Sequence, residues 1–348
     1  MSERTGKVQT VLGLVEPTAL GHTQTHEHLL IDLAPRTTEP LPASLMGRAA
    51  EPPRLENYSW MRRHWNLNHD NHRLTSETDA IDEMLRYRAA GGGALVDATS
   101  IGIARDPVGL ARIARATGVH IIMGAGYYLA SYQPPEVEAA AEAQLAERIV
   151  RDVVEGVDGT GIRSGIIGEI GLSWPVHPNE AKALRAAARA QQVTGAALLI
   201  HPGRGEPAPL DAMRRVVDAG GDPARTIMSH IDRTLFRLDD MVELARTGCY
   251  VELDLFGQES SYYPLAPIDM PNDATRVSYL IGLIEAGYRD KLVIAQDICK
   301  KVNTTRYGGE GYSHILENVV PLMRRKGMTQ ADMDAILVYN PARILSFA

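Results

Sequence analysis

The chain has 348 residues, of which 45% are hydrophobic, so it is long enough to bury a large core. Its formal net charge is -7 and no block of lysines and arginines stands out, which argues against a nucleic-acid-binding surface. Cys249 and Cys299 cannot form a disulfide framework, and neither a signal-type segment nor an apolar run of membrane-spanning length is present. We therefore expect a cytoplasmic protein that acts on a small molecule, with no nucleic-acid or membrane partner.

Short apolar runs alternate with longer helical patterns along the chain, and this alternation predicts repeated strand–helix units. Most of the runs are apolar at successive positions, which is typical of strands buried on both faces. The eight predicted strands are residues 23–29, 94–99, 120–125, 165–170, 196–201, 226–230, 250–254 and 292–297.

The segments between the strands carry helix signals. Asp106 and Pro107 form an N-cap followed by proline at the first helical position, and apolar residues recur at helical spacing after Leu238. Gly195 and Gly248 each end a helical pattern shortly before a strand, as C-cap glycines do. Eight such units predict an α/β fold, a closed (β/α)8 TIM barrel in a single domain over residues 1–348, with a doubly wound open sheet as the alternative.

Three connections are longer than the others. The first βα loop, residues 34–75, is rich in proline and contains the polar cluster HWNLNHDNH, and long loops also occupy residues 258–273 and 300–311. Long loops on a barrel usually shape the substrate pocket, and we expect the same here. After Met328 the chain ends in a helical segment, which we expect to pack outside the barrel as an extra helix.

Side chains that bind metals stand at or near the ends of five predicted strands. His26 and His28 are two residues apart, so both point to one face of their strand. Glu169 ends an apolar run, where a buried carboxylate is costly unless it is paired or bound to a metal. Singly, each residue has an ordinary explanation as a hydrogen-bonded core histidine or an ion pair, but the ordered set fits a two-metal hydrolytic site in a barrel. The six candidate metal ligands are His26, His28, Glu169, His201, His230 and Asp297.

Further candidates follow the ligand-bearing strands, on the face where barrel substrates bind. Basic residues there would pair with an acidic substrate group such as a sulfonate or a carboxylate, and tyrosines would line the pocket. Each is also compatible with a solvated loop charge or with ordinary loop packing. The candidate substrate-binding residues are Arg204, Arg233, Lys300, Lys301, Tyr127 and Tyr128.

Three other features have competing interpretations. Asp232 would either relay a proton outward from the catalytic site or serve as a turn residue or ion-pair partner. His64, His69 and His72 crowd the first long loop without strand spacing, so we do not expect them to bind metal. Cys299 has no base near it in the sequence, so we do not expect a nucleophile there.

The ordered motifs HTQTHEH, GEIG, HPG, SHIDRT and AQDI resemble those of the phosphotriesterase branch of the amidohydrolase superfamily. The longer segments GVHIIMGAGYY, GIIGEIGLSWP, CYVELDLFG and YGGEGYSHILENVVP are similar to the phosphotriesterase-related proteins within that branch. The resemblance runs from about Gly6 to the C-terminus and covers essentially the whole chain.

This resemblance implies a metal-dependent (β/α)8 barrel that holds two divalent metal ions, with zinc favoured, although such sites also take manganese, iron or cobalt. It implies that His26, His28 and Asp297 hold one ion, and that a second pair of histidines, His201 and His230, holds the other. The bridging carboxylate is then a glutamate, where many phosphotriesterases carry a carboxylated lysine. We therefore expect the site to assemble without carbon dioxide, and we do not expect phosphotriester hydrolysis as the main activity.

The implied mechanism uses a water shared by two cations about 3.5–4 Å apart, whose pKa falls towards neutrality. Asp297 would accept the proton of that water and return it to the leaving group. Within this family, the resemblance favours an amide or ester hydrolase for a small anionic substrate, with an N-acetyltaurine-type amide as the leading candidate.

Other functions remain compatible with the sequence. LDLFG is similar to the corresponding segment of lactonases, so a lactonase or carboxylesterase is one alternative and a phosphotriesterase is another. A protein that only binds a vanilloid such as resiniferatoxin belongs to a different class, and it would have no need of six metal ligands. By analogy with related barrels, a homodimer is a further expectation.

Overall fold

Eight parallel strands form one sheet that is nearly closed into a barrel in this computed structural model, which describes residues 3–34 and 41–348. The strands pair with their neighbours in chain order from the first to the eighth, without the reversal that a doubly wound sheet requires, so the predicted TIM barrel is confirmed. The barrel strands are His22–Glu27, Gly92–Asp97, His120–Ala125, Ile166–Gly171, Ala197–His201, Thr226–Met228, Tyr250–Leu253 and Leu292–Ile294.

The first and eighth strands meet at a seam that side chains help to close. The backbone N–H of Asp297 donates to the carbonyl of His26 at 3.1 Å. The carboxylate of Glu27 accepts from the backbone N–H groups of Gln296 at 2.7 Å and Ile298 at 2.9 Å. Burial raises the pKa of Glu27 to about 8, although these two hydrogen bonds oppose the shift. Glu27 therefore binds backbone across the seam, while its two histidine neighbours face the barrel interior.

Helices surround the barrel, and local signals fix their ends. The Asp106 carboxylate accepts from the backbone N–H of Gly109, with Pro107 at the first helical position as predicted. Gly195 ends its helix in the left-handed conformation, with φ of 71°. The helices that follow the eight strands are Glu77–Ala89, Pro107–Thr117, Glu142–Val154, Pro178–Thr194, Ala208–Asp218, Leu238–Ala245, Asp273–Glu285, and Ile315–Val319 continued by Val320–Arg325.

Elements outside the repeated units cover the ends of the barrel. An antiparallel hairpin, Val8–Thr10 with Gly13–Val15, precedes the first strand and was not predicted. The first long connection contains the helices Ala43–Ala50 and Tyr58–Arg63 and a short pairing of Ile31–Asp32 with Arg73–Leu74, while its residues 35–40 lie outside the described part. The predicted C-terminal helix is present as Gln330–Asp334, Ala335–Tyr339 and Asn340–Leu345.

Alternation along the strands divides the buried side chains between the barrel interior and the layer beneath the helices. Leu199 and Val293 pack with other buried residues in the barrel interior, whereas Leu198 and Ile200 pack in the larger core that also contains helix residues. The same alternation carries His201, two residues after Leu199, to the interior near the C-terminal end of the strands.

No helix in residues 3–34 and 41–348 is long and apolar enough to cross a membrane.

Candidate metal centre and active-site cavity

Glu169 lies at the centre of the predicted ligands, at the C-terminal end of the barrel. One of its carboxylate oxygens is 3.4 Å from Nε2 of His28. The other is 3.4 Å from Nε2 of His26, 2.8 Å from Nδ1 of His201 and 3.7 Å from Nε2 of His230. Four of the six candidate side chains, contributed by three different strands or strand ends, therefore converge on the carboxylate of Glu169.

Asp297, the sixth candidate, joins the cluster from the eighth strand. Its Oδ1 lies 3.3 Å from Nε2 of His28 and 4.0 Å from Nε2 of His26. The side chain of Asp297 is 17% exposed, whereas that of Glu169 is 2% exposed. Asp297 is therefore the more accessible of the two carboxylates from the cavity.

Two of the candidate ligands adopt an unusual backbone conformation. His230 and Asp297 have φ of 56° and 48°, in the left-handed region that residues with a Cβ rarely occupy. Such a conformation costs about 1–3 kcal/mol and persists only where the surroundings impose it. Both residues lie just beyond the ends of their strands, Met228 and Ile294, and this local turn directs their side chains to the cluster.

The donor set fits divalent cations. Nε2 of His26 and Nε2 of His28 are buried and have no hydrogen-bond partner among the described residues, which is costly for an imidazole nitrogen unless it binds a cation. Among the described residues, three groups of three ligand atoms lie within 4.8 Å of one another, and two of these groups include Glu169. Nitrogen and carboxylate donors are those that zinc and similar metals prefer. The two groups that include Glu169 are His26, His28 and Glu169, and Glu169, His201 and His230; the third is His26, His230 and Asp254.

Asp254, at the end of the seventh strand, orients ligands in both groups and was missed in the sequence analysis. Its carboxylate lies 3.0 Å from Nδ1 of His26 and 2.8 Å from Nδ1 of His230. Nδ1 of His28 has a separate partner, the Thr99 hydroxyl at 3.0 Å. A hydrogen bond from Nδ1 leaves Nε2 available as a metal ligand, so these contacts fix the tautomer that the centre requires. The alternation of Tyr250, Glu252 and Asp254 on one strand face was the available signal.

The electrostatics keep the carboxylates charged. Burial alone would raise the pKa values of Glu169, Asp254 and Asp297, but the surrounding imidazoles outweigh burial and hold all three pKa values below their usual range. Ionised carboxylates are the form that binds a divalent cation.

A cavity of about 280 Å³ opens above this cluster. Glu169, His201, His230 and Asp297 contribute to its lining. Of the predicted substrate-binding residues, the structure brings four to the same cavity. These are Arg204, Arg233, Lys300 and Tyr128.

Lys301 and Tyr127 do not reach the cavity, contrary to the prediction. Nζ of Lys301 forms an ion pair with Asp70 at 2.7 Å, and Lys301 does not contribute to the cavity lining. Tyr127 is buried in the core that contains strand and helix residues. Lys300 lines the cavity in place of Lys301, and Tyr128 lines it in place of Tyr127. Adjacent residues in each loop point in different directions.

The structure shows Asp232 as an ion-pair partner, which was the alternative to a proton relay. One oxygen of its buried carboxylate lies 2.6 Å from Nε of Arg276 and accepts from the backbone N–H of Leu255 at 3.1 Å. Leu255 lines the cavity, whereas Asp232 does not. The other oxygen, Oδ1, has no hydrogen-bond partner among the described residues, so the ion pair does not test the predicted proton relay.

Two residues for which no catalytic or metal-binding role was expected also line the cavity. His72 and Cys299 contribute to the lining, but neither belongs to the metal-capable groups of the described residues. Burial raises the pKa of the Cys299 thiol to about 12, so the thiolate form that a nucleophile needs is disfavoured.

A barrel with a carboxylate–histidine cluster at the C-terminal ends of its strands defines a class of metal-dependent hydrolases. The chain belongs to the phosphotriesterase family, whose model matches residues 6–345. It is 46% identical to an N-acetyltaurine hydrolase of Tetraodon nigroviridis and 45% identical to one of Homo sapiens, in each case over 100% of both chains. It also superposes on a crystal structure of a resiniferatoxin-binding protein from Rhodobacter sphaeroides with a TM-score of 0.95 and 35% identity, covering 99% of this chain and 98% of the other. The chain is accordingly a hydrolase of this family.

Proposed function

We propose that the chain hydrolyses the amide bond of a small anionic N-acyl compound of the N-acetyltaurine type, with two divalent cations, favoured as zinc. The observation that carries this proposal is the position of Glu169, which is shared by two metal-capable groups beneath one cavity. The similarity to N-acetyltaurine hydrolases over the full length of both chains supports the choice of an amide substrate.

The residues divide into two ligand sets around the shared carboxylate. His26, His28 and Asp297 would hold one cation, and His201 and His230 the other. When bound, the two cations supply Lewis acidity, which lowers the pKa of water and polarises the carbonyl of the scissile amide.

Asp297 is the proposed general base and acid. Its carboxylate is ionised and is the more exposed of the two carboxylates in the cluster. It accepts a proton from the attacking water and returns it to the nitrogen of the leaving amine, so one group serves both halves of the reaction. Apolar residues such as Leu129 and Leu255 line the same cavity and limit the access of bulk water to the reacting groups.

The proposal is tested by incubating the zinc-loaded protein with N-acetyltaurine and measuring released taurine, beside a chelated sample and an Asp297→Asn variant. We expect chelator-sensitive release in the native chain. The variant should keep measurable zinc but lose most of the rate, since it retains an oxygen ligand but no base.

No release from fully metallated protein would overturn the amide substrate. Hydrolysis of lactones or carboxyl esters by the same sample would then assign the site to the lactonase or carboxylesterase alternative, and hydrolysis of phosphotriesters would assign it to the phosphotriesterase alternative. Tight binding of resiniferatoxin without turnover of any of these substrates would favour the non-catalytic alternative.

A further inference from the structure

Three positively charged side chains line the cavity without an ion pair to any described carboxylate. Arg233 and Lys300 are only 3% and 5% exposed, and Arg204 is partly buried. Among the described residues, their hydrogen-bond partners include the hydroxyl of Tyr263 for Arg204 at 2.9 Å and the side-chain oxygen of Gln258 for Lys300 at 3.1 Å. Arg233 donates to the carbonyl of Pro202 at 3.2 Å, and none of the three forms an ion pair with a described carboxylate. We call Arg204, Arg233 and Lys300 the cationic arc.

Such a group of charges is unfavourable by itself. A buried cation without a counter-ion loses much of its hydration, and like charges in one cavity repel each other. An anion that enters the cavity would relieve both the lost hydration and the repulsion.

Two aromatic side chains hold the arc in place. Nζ of Lys300 lies 4.7 Å from the centre of the Trp65 ring, and the guanidinium carbon of Arg204 lies 5.8 Å from the centre of the Tyr263 ring. The rings of Trp65 and Tyr263 are themselves 5.8 Å apart. Since Trp65 belongs to the first long loop and Tyr263 to the loop after the seventh strand, the arc is assembled from separate parts of the chain.

One end of the arc adjoins the metal centre. Nη2 of Arg233 lies 3.2 Å from Nε2 of His201, a member of the metal-capable groups. An anionic group held by the arc is therefore placed beside the reacting carbonyl rather than at a remote surface. Leu33 packs with Tyr128, Leu129 and Tyr132 in an apolar cluster, and all four line the cavity, so a short acyl group would find an apolar surface there.

We propose that the cationic arc binds the anionic end of the substrate and selects a tetrahedral sulfonate over a planar carboxylate. A carboxylate pairs fully with one guanidinium fork, whereas the three oxygens of a sulfonate accept from three separate donors. The arc supplies two guanidinium groups and one ammonium from three different loops. This inference rests on the proposed amide hydrolysis for its kinetic test, but not for its binding test.

The kinetic test compares three amides that differ only at the anionic end: N-acetyltaurine, N-acetyl-β-alanine and the neutral N-ethylacetamide. The Lys300→Met and Arg204→Gln variants should raise KM for N-acetyltaurine by roughly 10- to 100-fold, the effect of losing a hydrogen bond to a charged group. The effect on kcat should be small. The ratio of kcat/KM for N-acetyltaurine to kcat/KM for N-acetyl-β-alanine should decrease. The kcat/KM for N-ethylacetamide should fall far less than that for N-acetyltaurine.

Lys301→Met is the matched control, because it removes the adjacent lysine, which pairs with Asp70 outside the cavity. This variant should hydrolyse all three amides like the native chain. An equal loss for all three amides in the Lys300→Met and Arg204→Gln variants would overturn the inference, because that result would indicate a structural role. An unchanged KM for N-acetyltaurine in both variants would also overturn it.

A binding test separates failure of the arc from failure of the proposed function. Calorimetric titration of the zinc-loaded protein with ethanesulfonate needs no turnover, and we expect binding that is weakened in Lys300→Met and retained in Lys301→Met. If this result is obtained without hydrolysis of any amide, the arc stands and the proposed reaction fails. If amides are hydrolysed but ethanesulfonate binds equally to all the variants, the arc fails and the reaction stands.

Discussion

At the scale of single residues, Asp254 links the two proposed metal sites. Its carboxylate contacts Nδ1 of His26 at 3.0 Å and Nδ1 of His230 at 2.8 Å, and these histidines belong to different proposed ligand sets. One buried side chain thus orients a ligand of each cation. Partners of this kind hold the imidazole ring in the ligating orientation and raise its basicity.

We expect Asp254→Asn to lower zinc affinity by about 10- to 100-fold while the protein remains folded. Asparagine has a single acceptor oxygen, so at most one of the two Nδ1–H groups keeps its partner. Competition with a chromophoric chelator measures the affinity, and near-ultraviolet circular dichroism checks the fold.

Glu180→Gln is a suitable control for this experiment. Glu180 is also a buried carboxylate, but its partners include the backbone N–H groups of Ala130, Ser173 and His177 rather than a metal-capable histidine. Equal zinc affinity in the native chain and Asp254→Asn would show that the histidines hold their orientation without Asp254.

The candidate ligands could be predicted because Glu169, His201, His230 and Asp297 lie at or near the ends of apolar runs, and because His26 and His28 have the two-residue spacing of one strand face. Asp254 was missed because its role depends on contacts with His26 of the first strand and His230 of the sixth, which the alternation along its own strand does not specify. Lys300 and Lys301 show a related limit. Nothing in their irregular loop specifies which of two adjacent lysines turns to the cavity, and only the ion pair of Lys301 with Asp70 separates them.

At the scale of elements, Arg276 ties a helix to the loops above the barrel. It is fully buried on the helix Asp273–Glu285, and Nε contacts Asp232 at 2.6 Å while Nη1 contacts Asp273 at 2.9 Å. Its Nη2 also donates to the carbonyl of Gln258 at 3.0 Å, and Gln258 lines the cavity. The repeated strand–helix pattern predicts a helix before the eighth strand, but the buried charge network depends on loop positions that this pattern does not determine.

Arg276→Met should lower the free energy of unfolding by about 3–5 kcal/mol, because two buried carboxylates lose their cation. Urea denaturation of the metal-loaded protein measures the change. Arg289→Met provides the comparison, since Arg289 is 45% exposed and pairs with Asp290 at the surface, where a pair contributes about 0–1 kcal/mol. A loss in Arg276→Met no larger than that in Arg289→Met would mean that the network contributes little to stability.

At the scale of the whole molecule, the metal centre connects parts of the barrel that are distant in sequence. The candidate ligands come from the first, fourth, fifth, sixth and eighth strand–helix units, so bound cations would join much of the ring. The eight-unit fold could be predicted from repeated strand and helix patterns because those patterns are local. The meeting of Trp65 and Tyr263 above the barrel could not, because long loops carry no periodicity that fixes their path.

Removal of the metal should therefore destabilise the entire barrel. A ligand that binds only the folded state stabilises it by about 4 kcal/mol when its free concentration is a thousandfold above Kd. We expect a chelator to lower the Tm of the native chain by several degrees, and added zinc to restore it.

Glu169→Ala removes the shared carboxylate, so its Tm should start low and respond little to either treatment. Differential scanning calorimetry of the two proteins with chelator and with zinc makes the comparison. A chelator-induced shift of equal size in Glu169→Ala would place the stabilising cation away from this cluster, and an unchanged Tm in the native chain would mean that the barrel is equally stable without metal.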